Sequence, residues 1–131
     1  MSPLRALLDT CTFLWLLTDA KELSVVARDI VKDPECEVFL SVASVWEIAT
    51  KYQLKKLPLP APPARYIPKC RERLGIDSLP IEEAAALAQS QLPPLHRDPF
   101  DRILIAQAIV HGLTILTPDE HIRKYPVVTM W

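Results

Sequence analysis

Glycine and cysteine are both scarce in this sequence. Its 131 residues include two glycines and three cysteines, and the widely spaced Cys11, Cys36 and Cys70 form no C-x-x-C pair. An odd number of dispersed cysteines argues against a disulfide scaffold and against a structural zinc site. We therefore expect these cysteines to be core thiols. Each glycine follows a helical pattern, so Gly75 and Gly112 are expected to end helices.

Long apolar runs and an excess of one charge are also missing. No run approaches the roughly 18 residues that a membrane-spanning helix needs, and residues 1–5 lack the layout of a signal peptide. We expect a cytoplasmic protein with no membrane segment. The formal net charge of −1 gives no bulk attraction for nucleic acid. RNA binding would therefore require a local cluster of lysine and arginine.

Apolar residues make up 50% of the chain and charged residues 24%, which is ordinary for a soluble globular protein. A chain of this length is expected to form one domain, residues 1–131, with a single α/β fold. Short apolar runs alternate with stretches of helical spacing, which favours a parallel sheet covered on both faces. We expect strands near residues 4–8, 37–41, 113–116 and 127–129, and a short extended piece at residues 76–79. Helices are expected near residues 12–17, 24–32, 45–54, 64–74, 81–91 and 99–111, and residues 117–119 are expected to open one more helical turn.

The stretch from residue 96 to residue 108 carries two carboxylates at the start of a predicted helix. Asp98 precedes Pro99, and proline is favoured at the first helical position. Asp101 follows three residues after Asp98 and lies on the same side of the helix as its apolar stripe. An acid at the head of an apolar stripe lies at the edge of the core. A metal site or a proton-transfer site can form there.

Three further acids follow predicted strands or open predicted helices. Asp9 follows the first strand, Glu47 lies near the start of the helix after the second strand, and Asp119 follows the fourth strand. Because parallel strands end at one edge of a sheet, these acids and Asp101 are expected to converge. Like charges about 4 Å apart cost on the order of 4 kcal/mol per pair at an effective dielectric near 20, so a cation is expected among them. Oxygen ligands select Mg²⁺ or Mn²⁺ over zinc, and such a site suits phosphodiester hydrolysis.

Each of these acids also has a simpler interpretation as a helix cap. Residues 44–47 and 117–120 have the spacing of a capping box. Asp98 has the position of an N-cap, and Asp9 precedes a predicted helix. For any single acid, capping is the more frequent role, because the helix dipole favours negative charge at this end. The joint placement of the acids beside apolar stretches is what favours a metal site.

Other candidate functional residues are histidines and basic residues. His96, His111 and His121 show no metal-ligand spacing. Near the acidic edge, either RNA contact or plain solvation explains the basic side chains. Lys51 also lies one helical turn after Glu47, where an i,i+4 ion pair is expected. The basic residues considered as RNA contacts are Lys51, Arg97 and Arg102.

Four short stretches carry a family resemblance: LLDT at residues 7–10, SVASVWEI at 41–48, DPFDR at 98–102 and ILTPD at 115–119. In this order and spacing they resemble the PIN-domain ribonucleases of the VapC type, which are toxins of type II toxin–antitoxin systems. The resemblance covers essentially the whole chain. It implies a three-layer α/β/α sandwich around a central parallel sheet, and Mg²⁺- or Mn²⁺-dependent endoribonuclease activity.

The resemblance also assigns residues and partners. It places the catalytic, metal-binding acids on Asp9, Glu47, Asp101 and Asp119, of which the last position is the most variable in the family. The implied partners are RNA, a small antitoxin protein and a second copy of the chain in a homodimer. The residues expected to support the site are Thr10, Ser44, Asp98 and Thr117.

The alternatives are a phosphatase, a receiver domain and a non-catalytic binding module. A haloacid-dehalogenase-like phosphatase needs a second acid two residues after Asp9, where this chain has Cys11. A phosphoacceptor receiver domain needs adjacent acids near the amino terminus, and residues 2–8 contain none. A non-catalytic PIN-like binding module remains open, and metal binding separates it from the nuclease. Such a module should not be stabilised by Mg²⁺ or Mn²⁺.

Overall fold

A computed structural model describes residues 3–131, so Met1 and Ser2 of the expected amino-terminal segment lie outside the described residues. Within this range, five strands form one sheet. They are β1 (Arg5–Leu8), β2 (Glu37–Ser41), β3 (Asp77–Leu79), β4 (Thr114–Leu116) and β5 (Thr129–Met130). Their spatial order is β3-β2-β1-β4-β5, and every neighbouring pair is parallel. The expected parallel sheet is confirmed, although its last strand begins two residues later than predicted.

Helices connect these strands, and seven lie in residues 3–131. They are α1 (Thr10–Thr18), α2 (Val25–Lys32), α3 (Val42–Gln53), α4 (Pro63–Leu74), α5 (Glu83–Gln89), α6 (Pro99–His111) and α7 (Glu120–Arg123). As predicted, Gly75 ends α4 and Gly112 ends α6, each with a positive φ that suits glycine. None of the described helices combines the length and apolarity needed to span a membrane.

The central strand β1 shows why helices cover both faces of the sheet. Its apolar residues are completely buried, and successive side chains point to opposite faces. Ala6 and Leu8 pack in one cluster with residues of α1, α2 and α4, whereas Leu7 packs in a second cluster with α6. The fold is therefore the expected three-layer α/β/α arrangement.

Helix α3 begins earlier than its capping pattern predicts. Ser44 was the expected cap, but Ser41 is the N-cap, and its Oγ accepts from the backbone N–H of Ala43 at 3.0 Å. The Ser41 hydroxyl also donates to Gln107 Oε1 of α6 at 2.5 Å. The predicted capping box at residues 44–47 is therefore wrong, and Ser44 lies buried inside the helix. This leaves Glu47 available for other contacts.

The second predicted capping box, at residues 117–120, is also wrong. Asp119 is the N-cap of α7, and its side chain accepts from the backbone N–H of His121 at 2.8 Å. Thr117 instead donates its hydroxyl to Asp9, the residue that follows β1.

The order of the strands reverses next to β1. Strands β2 and β3 lie on one side of β1, and β4 and β5 lie on the other, so the switch in strand order falls between β1 and β4. Open α/β sheets form their sites at the carboxyl ends of the strands beside this switch.

Candidate active site

A pocket of about 240 Å³ opens where the chain leaves β1. All four acids predicted as catalytic line it, and so do three of the supporting and basic residues. Five carboxylates therefore face one small space, with a single lysine among the lining residues of the described chain. The lining residues are Asp9, Thr10, Cys11, Glu47, Lys51, His96, Asp98, Asp101 and Asp119.

Asp9 both caps a helix and lines the pocket. It is the N-cap of α1, and its Oδ1 accepts from the backbone N–H of Thr12 at 2.7 Å. Its Oδ2 accepts from the hydroxyl of Thr117, and the backbone N–H of Asp119 donates to that same hydroxyl oxygen at 3.0 Å. Burial raises the pKa of Asp9, and these hydrogen bonds oppose the rise. The capping and site interpretations of Asp9 are therefore compatible.

Glu47 is held from two sides. The hydroxyl of Thr10 lies 2.6 Å from Glu47 Oε1 and 3.0 Å from Ser44 Oγ, so it donates to the carboxylate, the stronger acceptor. Lys51 Nζ donates to Glu47 Oε2 at 2.7 Å, which is the i,i+4 pair that the sequence predicts. The Glu47 side chain is 8% exposed and that of Lys51 is 50% exposed. Half of the Lys51 side chain therefore remains in solvent, and its hydrogen bond to Glu47 raises the pKa of Lys51.

Asp101 lies in the first turn of α6, whose N-cap is Asp98. Asp98 Oδ1 accepts from the backbone N–H groups of Phe100 at 2.9 Å and Asp101 at 3.3 Å, as the sequence predicts. Burial raises the pKa of Asp101 to about 6, while a hydrogen bond from His96 opposes the rise. The carboxylates of Asp98 and Glu47 add to the increase. Asp101 is therefore a carboxylate whose charge the metal-free protein tolerates poorly.

Two residues of the pocket were not predicted. His96 Nε2 lies 2.8 Å from Asp101 Oδ2, although histidine spacing gave no indication of a role. A usable signal was its place in the loop entering α6, two residues before the N-cap Asp98. Cys11 was expected in the core, yet the residue is exposed at the pocket. Partial burial of its thiol and the carboxylates of Asp9 and Glu47 raise the Cys11 pKa to about 11, so the thiol stays protonated at neutral pH.

The two arginines predicted as RNA contacts lie outside the pocket lining. Arg97 is exposed in the loop before α6. Arg102 is half-buried, and its guanidinium donates to the Tyr125 hydroxyl and to four backbone carbonyls in the segment before α6. Those carbonyls belong to Gln89, Leu92, Pro93 and His96. Because its donors are directed into the protein, we do not propose Arg102 as an RNA contact.

The donor set of the pocket fits a hard divalent cation. Carboxylate oxygens predominate, and these are the ligands that Mg²⁺ and Mn²⁺ prefer. The pKa values of Asp9 and Asp101 are both raised, so a bound cation would favour charged forms that burial disfavours. One atom each of His96, Asp98 and Asp101 lies within 4.8 Å of the others, which is close enough for a shared ion. The residues that could hold the cation are Asp9, Glu47, Asp101 and Asp119, with Asp98 and His96 beside them.

Comparison with known sequences identifies relatives over most of the chain. The family model described as PIN domain matches residues 6–128. Ribonuclease VapC16 of Mycobacterium tuberculosis (strain ATCC 25618 / H37Rv) is 34% identical over 108 residues, which are 76% of this chain and 67% of that protein. Ribonuclease VapC22 of the same strain is 27% identical over 129 residues, covering 95% of this chain and 97% of that protein.

Solved structures share the fold at lower sequence identity. VapBC2 from Rickettsia felis, bound to a DNA fragment from their promoter, contains a chain with a TM-score of 0.66 and 11% identity. The match covers 97% of this chain and 98% of that chain. FitAcB from Neisseria gonorrhoeae contains a chain with a TM-score of 0.65 and 23% identity, covering 96% of both chains. At these identities the likeness shows a common fold.

Proposed function

Because this chain belongs to the PIN-domain family, we propose that it is an endoribonuclease and the toxin of a toxin–antitoxin pair. The observation that carries the proposal is the pocket of five carboxylates drawn from separate parts of the chain. The similarity to Ribonuclease VapC16 supports RNA as the substrate. A non-catalytic binding module would gain nothing from crowding these charges, which costs free energy unless a cation neutralises them.

We propose Mg²⁺ or Mn²⁺ as the cofactor. Asp9, Glu47, Asp101 and Asp119 are the proposed catalytic and metal-binding residues, since all four line the pocket. A divalent ion at such a site supplies a water of lowered pKa and stabilises charge on the reacting phosphate oxygens. Oxygen ligands favour these two ions over zinc.

The protein's own residues hold and orient the reacting groups. Thr10 and Thr117 donate to Glu47 and Asp9, which fixes one oxygen of each carboxylate. Burial and the neighbouring carboxylates raise the pKa of Cys11 to about 11, which disfavours the thiolate that a covalent nucleophile requires. Water is therefore the proposed nucleophile in phosphodiester hydrolysis.

RNA binding is proposed for two basic side chains near the pocket. Lys51 lines the pocket, and half of its side chain remains exposed beyond its pair with Glu47. Arg97 is exposed one residue before the N-cap Asp98. The chain has no net positive charge, so attraction for RNA must come from local basic residues. Contacts from these two side chains to phosphate oxygens would offset the repulsion between RNA and the carboxylates.

We also propose a small antitoxin as the protein partner. The resemblance of the four sequence stretches to VapC-type toxins supports this partner, and so does an apolar groove of about 350 Å³ beside α1, which Leu14, Trp15 and Leu17 help to line. Apolar side chains left at a surface of this kind suit a protein partner.

We further propose that residues 1–131 form a single domain and that the protein forms a homodimer. We also propose that it acts in the cytoplasm, where cellular RNA is found.

The experiment that tests this function is cleavage of a mixed cellular RNA pool in EDTA, in Mg²⁺ and in Mn²⁺. Discrete fragments that appear only with a divalent ion are expected. A parallel thermal unfolding measurement records whether each ion stabilises the protein. If neither ion supported cleavage and neither stabilised the protein, the proposal would be contradicted and the binding module would be favoured.

A further inference from the structure

The imidazole of His96 hydrogen-bonds the carboxylate of Asp101. Its Nε2 lies 2.8 Å from Asp101 Oδ2, and the two side chains are 19% and 16% exposed. An ionised carboxylate only accepts hydrogen bonds, so the proton of a neutral His96 belongs on Nε2 in this pair. The bond occupies Oδ2 and leaves Oδ1 of Asp101 for another partner.

The backbone of His96 is held on both sides. Its N–H donates to the hydroxyl of Tyr125 at 2.9 Å, and its carbonyl accepts from Arg102 at 3.3 Å. The Tyr125 hydroxyl in turn donates to the carbonyl of Pro93 at 2.8 Å. Arg102 contacts three further carbonyls of the same segment. These hydrogen bonds hold the loop before α6 to Arg102 of α6 and to Tyr125, which follows α7.

The imidazole ring is also fixed. The His121 ring stacks on it with a centroid separation of 5.0 Å and an interplanar angle of 6°. Stacking restricts rotation of the His96 side chain, and its bond to Asp101 selects one orientation of the ring. Backbone anchoring, ring stacking and a charge-assisted hydrogen bond therefore converge on one imidazole nitrogen.

We propose that His96 is a positioning residue that orients the Asp101 carboxylate toward the divalent ion, with His121 stacked on its imidazole and Tyr125 anchoring its backbone. The inference rests on the proposed function, because it assumes that Asp101 binds the ion. Metal ligands are commonly oriented by hydrogen bonds from residues behind them, and loss of such a partner typically lowers metal affinity by 10- to 100-fold. The competing geometry is direct ligation, since His96, Asp98 and Asp101 lie close enough to share an ion.

The test measures Mn²⁺ binding to the whole protein by isothermal titration calorimetry. His96→Ala should weaken Mn²⁺ binding by about 10-fold or more. His96→Gln should recover most of the affinity, because its side-chain amide still donates a hydrogen bond. His111→Ala is the control, since His111 lies at the far end of α6 from Asp101, and it should bind Mn²⁺ like the wild type.

The possible results separate the inference from the proposed function. Wild-type protein that binds no Mn²⁺ would overturn both. Normal binding by His96→Ala, or equal weakness of the Ala and Gln variants, would overturn only the role of His96 as a donor. A directly coordinated imidazole nitrogen, seen in pulsed EPR of bound Mn²⁺ and lost in His96→Ala, would also overturn it in favour of ligation.

A second variant guards against misfolding of His96→Ala. His121→Ala removes the stacked ring but leaves both partners of the His96–Asp101 bond in place. It should weaken Mn²⁺ binding, by less than His96→Ala does, without changing the stoichiometry. Unchanged Mn²⁺ affinity in a folded His121→Ala protein would contradict the proposed fixing of the imidazole.

Discussion

The hydroxyl of Thr10 donates to Glu47 across 2.6 Å and thereby joins the start of α1 to α3. The two residues are 37 positions apart in sequence, and both are buried. Glu47 projects from α3, whereas Asp9 immediately precedes Thr10, so this single bond sets the spacing of two proposed metal ligands. It is both a structural contact and a part of the site.

Thr10→Val removes that donor while preserving the shape of the side chain. The buried Glu47 carboxylate then keeps only its Lys51 partner, so we expect the free energy of unfolding to fall by about 1–3 kcal/mol. Urea denaturation in EDTA measures the loss. Thr10→Ser, which retains the hydroxyl, is the control and should lose less. A loss for Thr10→Ser as large as that for Thr10→Val would contradict this prediction, because Ser keeps the hydroxyl that donates to Glu47.

Asp101→Asn should abolish metal-dependent RNA cleavage and leave the fold intact. The substitution removes a charged ligand from the pocket while the side chain keeps an oxygen that accepts from His96. Cleavage of the RNA pool and thermal stabilisation by Mn²⁺ are the two measurements. Asp29→Asn, an exposed acid on α2, is the matched control and should cleave normally. Full cleavage by an Asp9→Asn, Asp101→Asn double variant would exclude the metal-site mechanism.

The same substitution should stabilise the metal-free protein at high pH. Burial raises the pKa of Asp101 from 3.8 to about 6, so the folded state binds this proton more tightly than the unfolded chain. That contribution to stability is present below pH 4 and is lost as the pH rises through about 6. Asn carries no charge at any pH, so the variant should exceed the wild type at pH 8 by up to about 3 kcal/mol.

Denaturation in EDTA across this pH range checks the sign. The difference between Asp101→Asn and wild type should shrink toward zero as the pH falls below 4. A difference that is independent of pH would instead indicate repacking around residue 101. Asp29→Asn again serves as the control, because Asp29 is exposed and lies outside the pocket lining.

Arg97 and Arg102 should respond differently to replacement by alanine. Arg97→Ala should weaken RNA binding and lower the slope of log K against log salt by about 0.7, the value expected for one phosphate contact on a single strand. Arg102→Ala should lower the free energy of unfolding, because several partly buried carbonyls lose their donor. Binding titrations at several salt concentrations and urea denaturation distinguish the two effects. An Arg97→Ala protein with an unchanged salt slope would leave that residue as a solvated side chain.

The acids of the pocket could be predicted because their positions follow from local sequence. Asp9 comes directly after an apolar run, and Asp101 heads an apolar helical stripe. Parallel strands bring such positions to one edge without any knowledge of side-chain contacts. The capping interpretation was correct for Asp9 and Asp98, whose carboxylates accept from helix N–H groups while they line the pocket.

The contacts among distant residues could not be predicted in the same way. Ser41 and Ser44 are both serines, a residue type that suits an N-cap, so the local sequence does not show which of them caps α3. In the fold Ser41 is the cap, and its hydroxyl also contacts the distant Gln107. The role of Arg102 depends on carbonyls of a loop whose path its sequence does not specify. His96 reaches Asp101 only because that loop is held in place. Such contacts depend on tertiary structure and leave no periodic signal.

The carboxylates of the pocket differ in what the fold requires of them. Asp9, Asp98 and Asp119 each cap a helix, whereas Asp101 and Glu47 cap none. Selection for folding alone would therefore preserve the first three acids after catalysis had been lost, and it would retain Glu47 as the partner of Thr10, whereas Asp101 would be free to drift. A descendant that survived only as a binding protein would still carry most of the acidic motif. Its loss of activity would be recorded at position 101.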